Sequence, residues 1–372
     1  MRLRLLALCG ALALAAPAAA APPGVQARAF LVANGATGEP LAAKAPRRRL
    51  PMASITKLMT VLLALERSRL GERVIVQADS TSAGGSTIYL RTGERLTVRD
   101  LVEAALIQSA NDAALALAEH VGRGDDRRFV RLMNRRARQL NLRETHFVRP
   151  DGLDAAGHVS SAHDVTRLAR VVMNKPFVRA TVRKRSVVIA GGRRLATWND
   201  LLATFPGLVG VKTGHTSRAG WCQVAAARGQ GVTIYATILG SPSRAQRNDD
   251  LAALLRWGLS RYRAATVVSQ RRVYASVEAP FGRGPVRLVA PRGVRRAVRV
   301  GRPLRERVVA PAVVSLPVAK GQQLGEVRVY EGRRLIARSP LVAARRVDSP
   351  SLPSRVEWYA ERVADNLFGW LP

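Results

Sequence analysis

Ser54-Ile55-Thr56-Lys57, Ser109-Ala110-Asn111 and Lys212-Thr213-Gly214 each occur once in this 372-residue chain, in that order. They constrain the fold more than any other feature. A reactive hydroxyl, a base for it and an anion-holding strand work together only if three distant segments meet in one cleft. Each segment alone says little, since average composition yields about one Ser-x-x-Lys by chance in a chain this long. Lysine usage sharpens the case. Against 60 Lys+Arg, the lysines are Lys44, Lys57, Lys175, Lys184, Lys212 and Lys320, and every other cation is arginine. Arginine keeps its proton in a protein, whereas a desolvated lysine can give one up and act as a base.

The local patterns place these residues on elements. Ile55, Leu58, Met59 and Leu62 repeat at helical spacing, so Ser54 opens a buried helix whose free backbone N–H groups favour developing negative charge. Lys57 returns to the same face one turn later, within reach of the Ser54 hydroxyl. Burial and a second cation make its neutral form accessible as a general base. An isolated match would instead read as a helix-capping Ser followed by an exposed Lys, and the other two motifs reverse that choice. Ser109-Ala110-Asn111 falls between helical stretches over residues 101–107 and 112–121, as a short exposed connection. Ser109 suits a proton relay from Lys57 to a leaving group, and Asn111 can hold Lys57 and a substrate amide. Lys212-Thr213-Gly214 is expected on an edge strand, giving a positive charge, a hydroxyl for a carboxylate, and close approach without a Cβ. The backbone N–H groups of Ser54 and His215 are the candidate oxyanion donors.

Residues 21–266 mix short apolar strands with amphipathic helices without regular alternation, which predicts an α+β domain. Residues 232–239 read as a buried strand joined by a tight turn to the strand holding Cys222, and a helix with Leu251, Leu254, Leu255 and Leu259 covers the sheet. In residues 267–348 short alternating runs with Gly and Pro turns replace the helical period, predicting a small all-β domain. Residues 349–372 form a Ser/Pro linker and a final amphipathic helix, with Val356, Tyr359, Val363, Leu367 and Trp370 along one side. Its two arginines stand against three acids, so it lacks the basic face that helps interfacial helices bind anionic lipid. A weak peripheral membrane anchor is preferred over a helix packed on its own protein, given its Trp and Phe.

Residues 1–20 have a charged start, an apolar core and Ala18-Ala19-Ala20, the pattern of a secretory signal peptide cut after Ala20. Export to the periplasm, on the outer face of the cytoplasmic membrane, is the expected location. Removing Cys9 leaves Cys222 alone, so no internal disulfide forms and the core must supply stability. In its apolar run Cys222 reads as a small buried hydrophobe. The net charge of +34 would ordinarily raise nucleic acid as a partner, but export and scattered arginines without interleaved aromatics argue for none. An anionic cell-wall or membrane surface fits better, and a bias toward Ala and Arg with no partner fits equally well. The five His are dispersed without metal-ligand spacing, so neither metal nor cofactor is expected.

Around the motifs the chain reads Leu106-Ile107-Gln108-Ser109-Ala110-Asn111-Asp112-Ala113, Thr145-His146-Phe147, Asp151-Gly152-Leu153, Ser160-Ser161-Ala162-His163-Asp164 and Lys212-Thr213-Gly214-His215-Thr216. It resembles the low-molecular-mass penicillin-binding proteins that are D-alanyl-D-alanine carboxypeptidases, serine peptidases of the β-lactamase/transpeptidase fold. The resemblance runs from about residue 27 to the end. It implies an antiparallel sheet flanked by helices with a helical subdomain, then a β domain and an amphipathic helix. It implies removal of the terminal D-Ala from peptidoglycan stem peptides through an acyl-enzyme on Ser54, and acylation of Ser54 by β-lactam antibiotics. Arg247 matches a position associated with the substrate carboxylate, and reads equally well as a helix-surface Arg. Thr197-Trp198-Asn199 lacks an Arg that some relatives carry nearby. A β-lactamase or D,D-endopeptidase would share the fold. The class A lactamases carry a Glu-x-x-Leu-Asn segment not found between the second and third motifs, and Asp where this chain has Ala110. A non-catalytic wall-binding protein would have no need of every motif residue.

Overall fold

The computed structural model describes residues 21–368, with side chains through residue 363. The signal-peptide reading and Cys9 lie outside the described residues. Contacts divide the rest into two compact units, one ending at Arg261 and one beginning at Tyr262. The sequence pattern placed the change after residue 266. The difference lies in Tyr262–Val268, an Ala/Val-rich stretch next to a helix that pairs as a strand with Val294–Arg299.

The first unit is built on a five-stranded antiparallel sheet. Its strands are β1 (Ala29–Asn34), β2 (Pro40–Lys44), β3 (Leu208–Thr216), β4 (Gly220–Gly229) and β5 (Val232–Ser241), in the order β2-β1-β5-β4-β3. The apolar runs of β1 and β5 are buried along nearly their whole length, as strands covered on both faces must be. Its principal helices are α1 (Lys57–Arg67), α2 (Val98–Glu103), α3 (Asn111–Gly122), α4 (Asp126–Gln139), α5 (Ala162–Val172) and α6 (Arg244–Ser260). Gly258 of α6 lies so close to β5 and β1 that a Cβ there would stand 2.7 Å from Ile234 Cγ2. On α5, Thr166 shares a hydrogen bond with Thr237 of β5. Ile234 and Thr237 are an odd number of residues apart, so the two helices cover opposite faces of the sheet. This is the expected α+β class, with α1 to α4 forming the helical subdomain beside the sheet.

Two features of this layout set up the site. Helix α1 is buried on every side, including Leu58, Met59, Val61, Leu62 and Leu63, so anything at its first turn is out of water. Strand β3 is the sheet's edge, as expected for Lys212-Thr213-Gly214, and among the described residues no strand pairs with its far side.

The second unit is all-β with a terminal helix. Strands β6 (Tyr262–Val268) and β9 (Val294–Arg299) pair with each other. Strands β7 (Val273–Val277), β8 (Val286–Val289), β10 (Leu304–Val309), β11 (Gln323–Glu331) and β12 (Arg334–Ala343) form an antiparallel sheet in the order β7-β8-β12-β11-β10. Its core gathers Val277, Val286, Leu288, Val327, Val329 and Leu341 from alternate positions. Helix α7 (Leu352–Phe368) docks Trp358 and Tyr359 against Phe281 at 5.2 and 5.9 Å between ring centres, and leaves Leu352, Val356 and Val363 exposed.

Candidate active site

Ser54 sits in a single 3-10 turn, Ala53–Thr56, that leads into α1. The expected buried helix is therefore entered through a tighter turn, and the residue before Ser54, Ala53, has the left-handed φ of +51°. Such a conformation is strained for a non-glycine residue and persists where surrounding packing enforces it. Two glycines enforce it. A Cβ on Gly152 would lie 2.2 Å from the Ala53 carbonyl oxygen, and one on Gly214 would lie 3.0 Å from the Ser54 nitrogen.

Lys57 is fully buried, and its amine donates to three acceptors: Ser54 Oγ at 2.8 Å, Asn111 Oδ1 at 2.6 Å and the Asp151 carbonyl at 2.6 Å. A protonated amine fills all three with its N–H groups, whereas a neutral one has a lone pair to turn toward the serine hydroxyl. Burial brings the neutral form within reach, lowering the Lys57 pKa from 10.5 to about 7 against the pull of Asp151 and Asp112, with Arg149 adding to the lowering. Asp151 is itself enclosed. Burial raises its carboxyl, but hydrogen bonds and charge from Arg149 together with Lys57 outweigh that and hold it below its ordinary value.

Ser109 follows a π-helical turn, Ala104–Gln108, at the end of α2, and takes the left-handed conformation itself, φ +66°. Extra residues in a helical turn and a left-handed cap swing its hydroxyl into the cleft. The sequence reading made this an exposed connection. In the structure Ser109 and Asn111 are buried, because the loop through Gly84, Gly85 and Ser86 closes over them. Asn111 Nδ2 donates to the Gly84 carbonyl at 2.5 Å and its backbone N–H to that of Ser86 at 2.6 Å. The Ser109 hydroxyl accepts from Lys212 Nζ at 2.8 Å, so its described amine partner is Lys212 and not Lys57.

Lys212 and Thr213 are buried on β3, and Gly214 pairs with Cys222 on β4. Burial drives the Lys212 amine well down, and the charges of Lys57 and Arg247 add to this. An arriving carboxylate reverses the balance, since an opposite charge favours the ammonium. Arg247 is 1% exposed, which overturns the helix-surface reading. Its guanidinium donates to Asn248 Oδ1 at 2.7 Å, lies 3.4 Å from Asp200 Oδ2 and stacks 5.5 Å over Trp221. Burial lowers its pKa to about 10, so it keeps its charge at neutral pH. The His215 side chain is exposed and stacks on the same Trp221 ring, at 4.1 Å between ring centres. Cys222 is a buried free thiol pushed up to about 11, inert as a nucleophile.

The fold thus brings Ser54, Lys57, Ser109, Asn111, Lys212, Thr213 and Gly214 into one cleft. Sequence reasoning missed the Asp151 carbonyl, the Gly84–Ser86 loop and Trp198, whose indole N–H donates to the Gln108 carbonyl at 2.9 Å beside Ser109. Adjacent glycines at 84 and 85 and the Asp-Gly pair at 151 and 152 were the available signals. A hydroxyl touching a desolvated amine, below an open strand edge lined by cations, is the arrangement of a serine acyl-transfer enzyme.

The comparisons agree with this class. The D-alanyl-D-alanine carboxypeptidase family model matches residues 16–243. The D-alanyl-D-alanine carboxypeptidase DacD of Salmonella typhimurium is 30% identical over 367 residues, covering 92% of this chain and 92% of that protein. DacF of Bacillus subtilis is 28% identical over 331 residues, covering 86% and 85%. The crystal structure of penicillin binding protein 6B from Escherichia coli aligns with a TM-score of 0.66 at 27% identity, over 88% of this chain and 98% of that one. The chain belongs to the D-alanyl-D-alanine carboxypeptidase family.

Proposed function

We propose that this chain is a serine-type carboxypeptidase that removes the terminal D-Ala from peptidoglycan pentapeptide stems, and that penicillins acylate the same serine. The observation that carries the reading is the buried Lys57 amine 2.8 Å from the Ser54 hydroxyl. An extended D-Ala-D-Ala terminus adds to the open side of β3 as an extra strand, which sets its register by main-chain hydrogen bonds. Ser54 Oγ attacks the penultimate carbonyl carbon while neutral Lys57 takes its proton, and the N–H groups of Ser54 and His215 receive the oxyanion. The Lys57 ammonium returns that proton to the leaving amine, relayed by the Ser109 hydroxyl that Lys212 supports, so D-Ala departs and Lys57 is neutral again. Water then attacks the ester with Lys57 again as base, releasing the shortened stem. Lys212, Thr213 and Arg247 supply the charge and hydroxyl for the substrate carboxylate. Release of D-Ala from a Lys-D-Ala-D-Ala peptide, with a penicilloyl adduct mapped to Ser54 by mass spectrometry, tests this directly. Rapid penicillin hydrolysis in place of a lasting adduct would favour a β-lactamase.

Export with peripheral attachment is the companion reading. It is supported by the signal pattern of residues 1–20 and by the exposed apolar residues of α7. The second unit adds Arg307, Arg328 and Arg338, directly opposed on β10, β11 and β12, with Glu326 bonded to the last two. Glu326 offsets part of this charge, and the row as a whole stays net positive, which suits an anionic wall or membrane surface. Among the described residues no helix is long and apolar enough to cross a membrane. Deleting residues 354–372 is expected to shift the protein from the membrane to the soluble fraction. Unchanged fractionation would remove the anchor.

A further inference from the structure

Behind the nucleophile's turn lies a buried histidine that the acyl-transfer steps leave without a task. His158 is 2% exposed, and its ring meets Phe147 edge-on at 6.0 Å between centres. Its Nδ1 accepts the Val148 backbone N–H at 3.0 Å, so the neutral ring carries its proton on Nε2. Nε2 stands 2.8 Å from Thr56 Oγ1 and donates to it. The Thr56 hydroxyl in turn donates to the Ala53 carbonyl at 2.8 Å. Every bond in this chain therefore points one way, from Val148 to Ala53.

Ala53 is the residue whose orientation decides where Ser54 points. Its φ of +51° is left-handed, and it is pressed between Gly152 and Gly214. Its carbonyl plane fixes the peptide that carries the Ser54 N–H. The charged and titratable groups acting on His158 are Asp151, Arg149, His146 and Asp154. Burial lowers the imidazole to about 4, with Asp151 and Asp154 pulling upward and Arg149 and His146 downward. The ring thus stays neutral throughout the range in which Lys57 changes charge, and the direction of the chain does not reverse there.

We propose that His158 is a positioning residue: through the Thr56 hydroxyl it holds the Ala53 carbonyl and so sets the angle at which Ser54 presents its N–H and its nucleophilic oxygen. This rests on the acyl-enzyme reading above and adds to it a residue that never touches substrate.

The test measures penicillin acylation of the full chain per labelled site, so that a smaller folded fraction does not register as a slower rate. His158→Phe and Thr56→Val are each expected to slow the acylation step by about ten- to a hundredfold, with little change in the preceding noncovalent affinity. Because both act on one chain of bonds, the double variant is expected to be no slower than the slower single. His158→Gln, which restores an N–H donor, recovers part of the rate. Unchanged rates per site with only lower thermal stability would overturn the proposal, as would losses that multiply in the double variant. Nitrogen-15 NMR of the unmutated chain near neutral pH is expected to show the Nε2–H tautomer, and an Nδ1–H or doubly protonated ring would overturn it even if the Phe variant does not fold. Failure of the unmutated chain to be acylated at Ser54 would instead bring down the acyl-enzyme reading, so the two failures are distinguishable.

Discussion

Lys57→Arg is expected to slow acylation by about a hundredfold to ten-thousandfold, the range supplied by a positioned general base. Arginine is long enough to reach the serine and always charged, so it has no lone pair to accept the hydroxyl proton. In the unmutated chain the amine titrates near 7, because burial outweighs the attraction of Asp151 and Asp112. The neutral form is the active one. Acylation therefore falls about tenfold per pH unit below that value and levels off above it. The same shift has a stability consequence of definite sign. Between about 7 and the ordinary 10.5 the folded state binds fewer protons than the unfolded state, so this residue's contribution makes stability rise with pH across that window. Stopped-flow acylation and urea unfolding across pH measure both. A Lys57→Arg variant that kept the rate step near neutrality would show that another group is the base.

Ser54→Ala is expected to abolish the penicilloyl adduct and to reduce D-Ala release by on the order of a millionfold, as loss of a serine nucleophile does elsewhere. Stability should move little, within about 1 kcal/mol. The lost oxygen accepts one hydrogen bond from Lys57, whose amine keeps Asn111 and the Asp151 carbonyl. Loss of activity together with a collapsed melting temperature would mean that the serine's role is structural. Residual turnover at a tenth of the original would place the chemistry elsewhere in the cleft.

The parts of this site that sequence reveals are those written in side-chain periodicity. Continuous apolar runs marked β4 and β5, helical spacing after Ser54 marked α1, and the position of Lys212-Thr213-Gly214 beside that hairpin marked an edge strand. The α+β class follows from such patterns. What periodicity leaves open is anything decided by a distant loop. Ser109 looked exposed because Ser and Asn favour turns, and only the Gly84–Ser86 segment folding over it makes it buried. The Asp151 carbonyl holds Lys57 through main-chain atoms, which no residue identity announces. Arg247 was ambiguous because a helix position does not say which neighbour it faces. Trp221 and Asp200, each more than twenty residues away in sequence, settle that it points inward. Likewise the first strand of the second unit follows α6 without a break, and only its pairing with β9 reveals where one unit ends.

The clamp on Ala53 by Gly152 and Gly214 ties the nucleophile to segments roughly a hundred and a hundred and sixty positions downstream. A fragment lacking either one loses half of that clamp, so reactivity toward penicillin is expected to be a property of the finished fold. A fluorescent penicillin thus doubles as a maturation reporter: during synthesis or refolding, the appearance of label dates the moment when the chain's last catalytic strand takes its place.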